Sequence, residues 1–158
     1  MSWRVCAMRR VMTRVLITGA SGFVGAALIA ALARDGVSVR GAYRALPDRT
    51  LAWESAAVGD LHASTNWSPA LRNVPAVVPC AGPAHARFSA QALNNQIVEA
   101  TVALAVQAEA AGVRRFVYLS SIKAACGHTE AGAAISEIDP PQPADAYGRA
   151  KLAAERAV

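Results

Sequence analysis

The sequence has few aromatic residues, few cysteines and no long apolar run. Phenylalanine, tryptophan and tyrosine make up 6% of the 158 residues, whereas hydrophobic residues as a whole make up 54%, so small side chains must fill much of the core. No apolar stretch approaches the ~20 residues that a membrane-spanning helix needs, which argues against a membrane protein of that kind. The length is sufficient for one domain with a substantial core.

The three cysteines, Cys6, Cys80 and Cys126, are odd in number and widely spaced. They match neither a disulfide framework nor a zinc-ligand pattern, and the three histidines share no ligand spacing. We therefore predict no metal site, and a reduced, cytoplasmic protein is the simplest interpretation.

Acidic residues are fewer than basic ones, 11 against 16, which gives a formal net charge of +5. Part of this excess lies in residues 1–12, which we predict to be a disordered basic leader ahead of a single domain at 13–158. The leader could be an arm for nucleic acid or membrane. It could instead be a solvated extension or a wrongly assigned start, because Met8 and Met12 are both candidate starts. We favour the solvated or wrongly assigned leader over a binding arm. Elsewhere the positive residues are scattered and lack an aromatic stacking platform, so we predict neither nucleic acid nor a membrane as partner.

The most informative stretch is a strand, a glycine turn and a helix. Val15 to Ile17 predict a buried strand, and the alanine-rich run from Ala26 to Arg34 predicts a helix. The glycines between them have the spacing G-x-x-G-x-x-G, not the G-x-G-x-x-G of most dehydrogenases. Gly19 is expected to make a tight turn, Gly22 to let backbone N–H groups approach a pyrophosphate, and Gly25 to let helix and strand pack closely.

Further short apolar runs predict four more strands, at 37–43, 56–58, 75–80 and 114–119. Pro75 and Pro79 fit poorly in the fourth strand, which could shorten to 76–78. Helices are predicted at 90–112 and from 146 onwards, the latter capped by Asp145, with a polar loop at 122–143. Strands that alternate with helices indicate an α/β, doubly wound parallel sheet, the Rossmann fold, with its ligand at the carboxyl ends of the strands.

The end of the second strand bears on the choice of cofactor. An NAD site usually offers an acidic residue to the adenosine ribose there, and Gly41 to Arg44 contain none. Arg44 could pair with the 2′-phosphate of NADP, because a guanidinium suits a phosphate, or could be a solvated loop residue. We therefore expect NAD or NADP, with a slight lean to NADP. Asp60, after the third strand, is either an adenine contact or a turn residue.

Tyr147 and Lys151 are four residues apart on the last predicted helix and therefore project from one face. An ammonium beside a phenol favours the phenolate, which makes a tyrosine usable as a general acid or base. Ser121, at the end of the fifth strand, is predicted to reach the same crevice and to hydrogen-bond a substrate oxygen. Taken alone, Tyr147 and Lys151 could be an ordinary pair on the surface of a helix. Together with Ser121 and the glycine turn, they favour a catalytic site.

Four motifs together resemble the extended short-chain dehydrogenases/reductases, and more narrowly the NAD-dependent epimerase/dehydratase family, in particular its UDP-glucose 4-epimerase-like members. These motifs are Thr18 to Gly25, Gly59 to Leu61, Arg115 to Ser121 and Tyr147 to Lys151. The resemblance covers the chain from about residue 13 onwards. It implies hydride transfer at a sugar hydroxyl of a nucleotide sugar.

The resemblance also implies a role for each matching residue. Tyr147 would be the catalytic acid/base, Lys151 would bind the nicotinamide ribose and tune the tyrosine, and Ser121 would orient the sugar hydroxyl. Asp60 and Leu61 would contact adenine. The predicted cofactor-binding residues are Gly19, Ser21, Gly22, Phe23, Val24, Gly25, Arg44, Asp60, Leu61, Tyr147 and Lys151.

Family members usually continue well beyond this length, into a domain that grips the nucleotide sugar. We therefore expect an incomplete, N-terminal cofactor half with little turnover alone, and a nucleotide-sugar substrate and a homodimer in the full-length form. Ile122 and Lys123 stand where the family's dehydratases carry an acidic pair, which argues against dehydration. The alternatives left open are a non-catalytic NADP-binding or redox-sensing module and an inactive remnant.

Overall fold

A five-stranded parallel sheet organises the residues that this computed structural model describes, which are 14–83, 88–129 and 132–158. The predicted leader lies outside them. The strands are β1 (Arg14–Thr18), β2 (Ser38–Tyr43), β3 (Glu54–Ala57), β4 (Ala76–Pro79) and β5 (Arg115–Phe116). Their spatial order is β3-β2-β1-β4-β5, which puts the topological switch point between β1 and β4. The predicted doubly wound parallel sheet is confirmed.

Helices connect the strands, and one of them is irregular. They are α1 (Phe23–Arg34), α2 (Ser68–Leu71), α3 (Ala90–Leu93), α4 (Ala100–Ala110), α5 (Ile122–Ala125) and α6 (Ala146–Ala157). A π-helical segment, Asn94–Glu99, joins α3 to α4, so the helix predicted at 90–112 is not α-helical throughout. Within the described ranges, no helix is both long and apolar enough to cross a membrane.

The two faces of the sheet bury separate clusters, as expected for a sheet with helices on both sides. Leu16 packs with Trp67 in one cluster, and its neighbour Ile17 packs with Ile29 of α1 in the other. Trp67 is 1% exposed and is the largest fully buried side chain of the described core. Alanines supply much of the remaining buried surface, in agreement with the composition.

The fifth strand is much shorter than the predicted 114–119, and its neighbour β4 explains why. The N–H of Val117 donates to the carbonyl of Val77 at 2.9 Å, which continues the parallel ladder. The next bond in that ladder would need an N–H from Pro79, which proline lacks. The pairing therefore stops, and the chain from 118 to 120 runs beside a cavity at the carboxyl edge.

Several other boundaries differ from those predicted, and the fourth strand keeps Pro79 as its last residue, where a shortening to 76–78 was considered. The helix predicted from Ala26 begins at Phe23, directly after the glycine turn. The third strand begins at Glu54 instead of residue 56, because Arg40 of β2 binds the Glu54 carboxylate at 2.6 Å and draws two more residues into register. The loop predicted from 122 begins with α5, whose first turn is capped by Ser121.

Candidate functional site

The turn after β1 is built by glycines that have no room for a side chain. Gly19 has φ +62°, and a Cβ there would lie 2.8 Å from the backbone of Ala81. The N–H of Gly22 closes the turn on the carbonyl of Gly19 at 2.8 Å. A Cβ at Gly25 would overlap that same carbonyl oxygen. Gly25 therefore lets α1 approach the turn after β1. The sequence predicted close packing of the helix against the strand itself.

The N-terminus of α1 opens on a large cavity. Gly22 is its N-cap and offers no side-chain cap, so the first backbone N–H groups of this 12-residue helix have no such partner among the described residues. Ser21 and Gly22 line the cavity, whereas the Phe23 side chain is 95% exposed. Uncapped N–H groups and the helix dipole together favour an anion at this point.

This cavity has a volume of about 700 Å³ and lies at the carboxyl ends of the strands. Six predicted cofactor-binding residues line it: Gly19, Ser21, Gly22, Arg44, Asp60 and Leu61. Sequence reasoning missed other lining residues, which are Gly59, His62, Cys80, Ala81, Gly82, Pro83, Phe88 and Gln96. Gln96 comes from the π-helical segment, which left no signal in the apolar pattern.

Arg44 and Asp60 form an ion pair at the cavity wall. The Nε of Arg44 lies 2.7 Å from the Oδ1 of Asp60. The exits of β2 and β3 are joined by backbone hydrogen bonds, from the N–H of Val58 to the carbonyl of Tyr43 and from the N–H of Gly59 to the carbonyl of Arg44. The structure thus brings together two residues for which the sequence predicted separate contacts.

A smaller cavity, of about 200 Å³, contains the predicted acid/base pair. Tyr147 and Lys151 of α6 both line it, as does Val24 of α1. Residues 80–83 line this cavity and the larger one, so the two cavities share a wall. The described lining includes Ser120 but not Ser121.

Ser121 is engaged elsewhere. Its Oγ accepts a hydrogen bond from the backbone N–H of Lys123 at 3.3 Å and caps α5. Of the two serines after the fifth strand, Ser120 is therefore the one that lines the same described cavity as Tyr147. The sequence offered no means of separating them, because both follow the same strand.

Lys151 is held by the chain between β5 and α5. Its Nζ donates to the carbonyl of Leu119 at 2.5 Å and lies 4.2 Å from the centroid of the Tyr118 ring. Burial lowers the pKa of Lys151, and the charges of Cys80 and Glu155 partly oppose this shift. Burial also raises the pKa of the Cys80 thiol and that of the Tyr118 phenol. The small cavity is thus a place where charge is poorly solvated.

Asp145 connects α6 to α5. Its Oδ1 accepts from the backbone N–H of Gly148 at 2.6 Å, which confirms the predicted cap. Its Oδ2 accepts from Lys123 at 2.8 Å, and this hydrogen bond is the main cause that lowers the pKa of Asp145. The Nζ of Lys123 lies 6.0 Å from the centroid of the Tyr147 ring. The ammonium of Lys123 therefore stands near the Tyr147 ring, whereas Lys151 shares a cavity with Tyr147.

Residues 15–158 match the family described as the NAD dependent epimerase/dehydratase family. The chain belongs to this family. A UDP-glucose 4-epimerase of Vibrio cholerae is 36% identical in an alignment 156 residues long, and the match covers 94% of this chain and 47% of that protein.

Solved structures agree with this assignment. MoeE5 in complex with UDP-glucose and NAD is 35% identical, with a TM-score of 0.77, over 91% of this chain and 47% of that one. A short-chain dehydrogenase/reductase superfamily protein from Agrobacterium tumefaciens with bound NAD is 34% identical, with a TM-score of 0.78, over 91% and 43%. The chain spans about half the length of each of these three proteins.

Proposed function

We propose that the chain is the cofactor-binding part of an NAD(P)-dependent nucleotide-sugar epimerase or a related oxidoreductase. The observation that carries this proposal is the position of Tyr147 and Lys151. They share one cavity at the carboxyl edge of the sheet, and residues 80–83 join its wall to that of the larger cavity. A dinucleotide could lie across this shared wall, with one end at the α1 N-terminus and the other beside Tyr147.

The residues present fit such a dinucleotide. The glycine turn leaves a cradle that a Cβ at Gly19 or Gly25 would fill, and the uncapped N-terminus of α1 suits a pyrophosphate. Asp60 and Leu61 line the large cavity in a position to meet adenine. Val24 lines the small cavity, where the nicotinamide end would lie.

The dinucleotide, when bound, accepts and returns a hydride, and the protein's residues handle the proton. Tyr147 would take the proton from a sugar hydroxyl and give it back. Lys151 would bind the nicotinamide ribose and place a positive charge near Tyr147. Ser121 would orient the sugar hydroxyl, with Ser120, which lines the cavity, as the alternative.

The relatives support a UDP-hexose as substrate, since MoeE5 binds UDP-glucose and the Vibrio cholerae relative is a UDP-glucose 4-epimerase. Lys123, paired with Asp145, stands where the family's dehydratases would have an acid. Epimerisation therefore agrees better with this site than dehydration does.

The first test is a fluorescence titration of the 158-residue chain with NADH. Saturable binding is expected, because this chain supplies both cavities and the glycine turn. Gly22→Val should abolish binding by filling the approach to the α1 N-terminus. Ala110→Val is the matched control, since Ala110 is exposed on α4 and outside the lining of both cavities.

A second variant separates the two ends of the ligand. Lys151→Met should weaken NADH binding several-fold, while the affinity for ADP, which reaches only the large cavity, should stay unchanged in calorimetry. A folded wild-type chain that binds neither ligand would exclude the proposal. Equal loss of ADP and NADH affinity in the Lys151 variant would show that Lys151 acts on the fold and not at the nicotinamide ribose.

A further inference from the structure

We propose that the Arg44–Asp60 ion pair sets the choice between the two dinucleotides, and that Asp60, by engaging Arg44, turns the site toward NAD. This inference rests on the proposed function, because it concerns how the same cavity discriminates between NAD and NADP. Arg44 considered alone favours NADP, since a guanidinium matches a phosphate. The structure adds a partner for Arg44 that lies 16 positions later in the sequence.

Backbone geometry holds the two residues opposite each other. The hydrogen bonds from Val58 to Tyr43, at 2.9 Å, and from Gly59 to Arg44, at 3.1 Å, extend the contact between β2 and β3 past the ends of both strands. Gly59 has φ +71°, a conformation that only glycine adopts readily, and it turns the chain just before Asp60. The pair is therefore a consequence of how the strands leave the sheet, and not only of side-chain rotamers.

The charges of the pair decide what the cavity wall offers to a ligand. Among the described residues that line the large cavity, Arg44 and Asp60 are the two with side chains charged at neutral pH. Their charges cancel, so this wall presents no net positive charge. A 2′-phosphate carries about two negative charges at neutral pH and needs that positive charge, whereas a ribose hydroxyl does not. The carboxylate also repels a phosphate directly.

The pair is open to solvent, with Arg44 82% and Asp60 64% exposed, so the incoming ligand can reach both side chains. Solvent screening limits the strength of such a pair, which makes it easy to perturb without unfolding the domain. Substitutions here should therefore change ligand preference and leave the fold intact.

The test is the ratio of the dissociation constants for NADPH and NADH. Asp60→Asn removes the charge but keeps an oxygen that can accept from the adenine amino group, so contacts common to both ligands persist. The wild-type chain should prefer NADH. Asp60→Asn should shift the ratio toward NADPH by about tenfold, as expected when one nearby negative charge is removed from a dianion's site.

The Arg44→Gln variant and the double variant complete a thermodynamic cycle. If Asp60 acts mainly by engaging Arg44, the shift produced by Asp60→Asn should be clearly smaller when Arg44 is already Gln, because only the direct repulsion then remains. A shift of the same size in both backgrounds would show direct repulsion alone and overturn the inference. An unchanged ratio in Asp60→Asn, or a wild-type preference for NADPH, would also overturn it.

Failure of the inference differs from failure of the proposed function. Normal NADH affinity with an unaltered ratio would overturn only the role of the ion pair. A folded chain that binds neither dinucleotide would remove both. Circular dichroism of the wild type, the two single variants and the double variant should be measured to check that each is folded.

Discussion

The ammonium nitrogen of Lys151 lies 4.2 Å from the centroid of the Tyr118 ring. The same ammonium donates to the carbonyl of Leu119, so two neighbouring residues of one segment hold it. Attraction between a cation and an aromatic face is strongest where solvent is excluded. The contact therefore offsets part of the cost of burying the lysine, and it fixes where Lys151 enters the small cavity.

Tyr118→Phe should leave the free energy of unfolding unchanged or raise it by up to about 1 kcal/mol. The Tyr118 hydroxyl is buried and has no hydrogen-bond partner in the part of the chain that the structure describes. The variant removes this polar group and keeps the ring beside Lys151. Tyr118→Leu, which removes the ring as well, should cost about 1–2 kcal/mol. Urea denaturation measures both, and equal losses would reveal a partner for the hydroxyl.

Lys151→Met should remove one component of the pH dependence of stability. Burial lowers the pKa of Lys151 in the folded state below its ordinary value of 10.5. Between those two values the unfolded chain binds more protons than the folded one, so the contribution of Lys151 to stability increases as the pH rises toward 10.5.

Chemical denaturation at several pH values from 8 to 10.5 tests this prediction about Lys151. The difference in unfolding free energy between wild type and Lys151→Met should move in favour of the wild type as the pH rises. Glu155 supplies a control, since Glu155→Gln should leave the direction of this trend unchanged. A constant difference across the range would mean that Lys151 titrates as it does in water.

Asp145→Ala should lower the unfolding free energy at pH 7 by about 1 kcal/mol, because α6 loses its N-cap. Asp145→Asn should lose less, since its amide oxygen can still accept from the N–H of Gly148 but cannot pair with the charge of Lys123. Lys123 lowers the pKa of Asp145 below its ordinary 3.8, so this stabilisation is present above pH 3.8 and is lost as the pH falls through the folded-state value.

Acid titration distinguishes the two Asp145 variants. The stability advantage of the wild type over Asp145→Asn should disappear at low pH, whereas the two should differ by a constant amount above about pH 5. Thermal unfolding followed by circular dichroism is sufficient. An advantage that persists at pH 2 would rule out the ion pair as its source.

Gly25→Ala should destabilise the domain by about 1–3 kcal/mol, because its Cβ would overlap the Gly19 carbonyl oxygen and force the turn to move. Gly22→Ala is the graded comparison. Its Cβ would lie 3.2 Å from the same oxygen and its backbone is extended, so the expected loss is below about 1 kcal/mol. Similar losses in the two variants would show that the turn is compliant.

The parts of the fold that depend on local sequence were predictable. The glycine turn, the buried strand before it and the Asp145 cap each arise from residues within one short stretch. A helix at 90–112 was predicted as well, and four residues at helical spacing on it are buried: Ile97, Thr101, Leu104 and Ala108. Such features follow from the spacing of apolar residues and from the backbone preferences of glycine and of capping residues within one segment.

Two of the missed features depend on a partner that is distant in the sequence. The length of β5 is set by Pro79, nearly forty positions earlier, through a hydrogen bond that cannot form. Arg44 and Asp60 meet because β2 and β3 leave the sheet side by side. The π-helical segment keeps Ile97 buried within an otherwise regular apolar pattern, so periodicity alone did not distinguish it from an α-helix.

Residues 80–83 form the wall between the two cavities, and the N–H of Ala81 donates to the Oγ1 of Thr18, a residue 2% exposed at the end of β1. These four residues are therefore held by β1 and also shape both cavities. A change in 80–83 that reshapes one cavity therefore also reshapes the other. A variant meant to alter a single cavity must leave 80–83 in place and change residues that line that cavity alone.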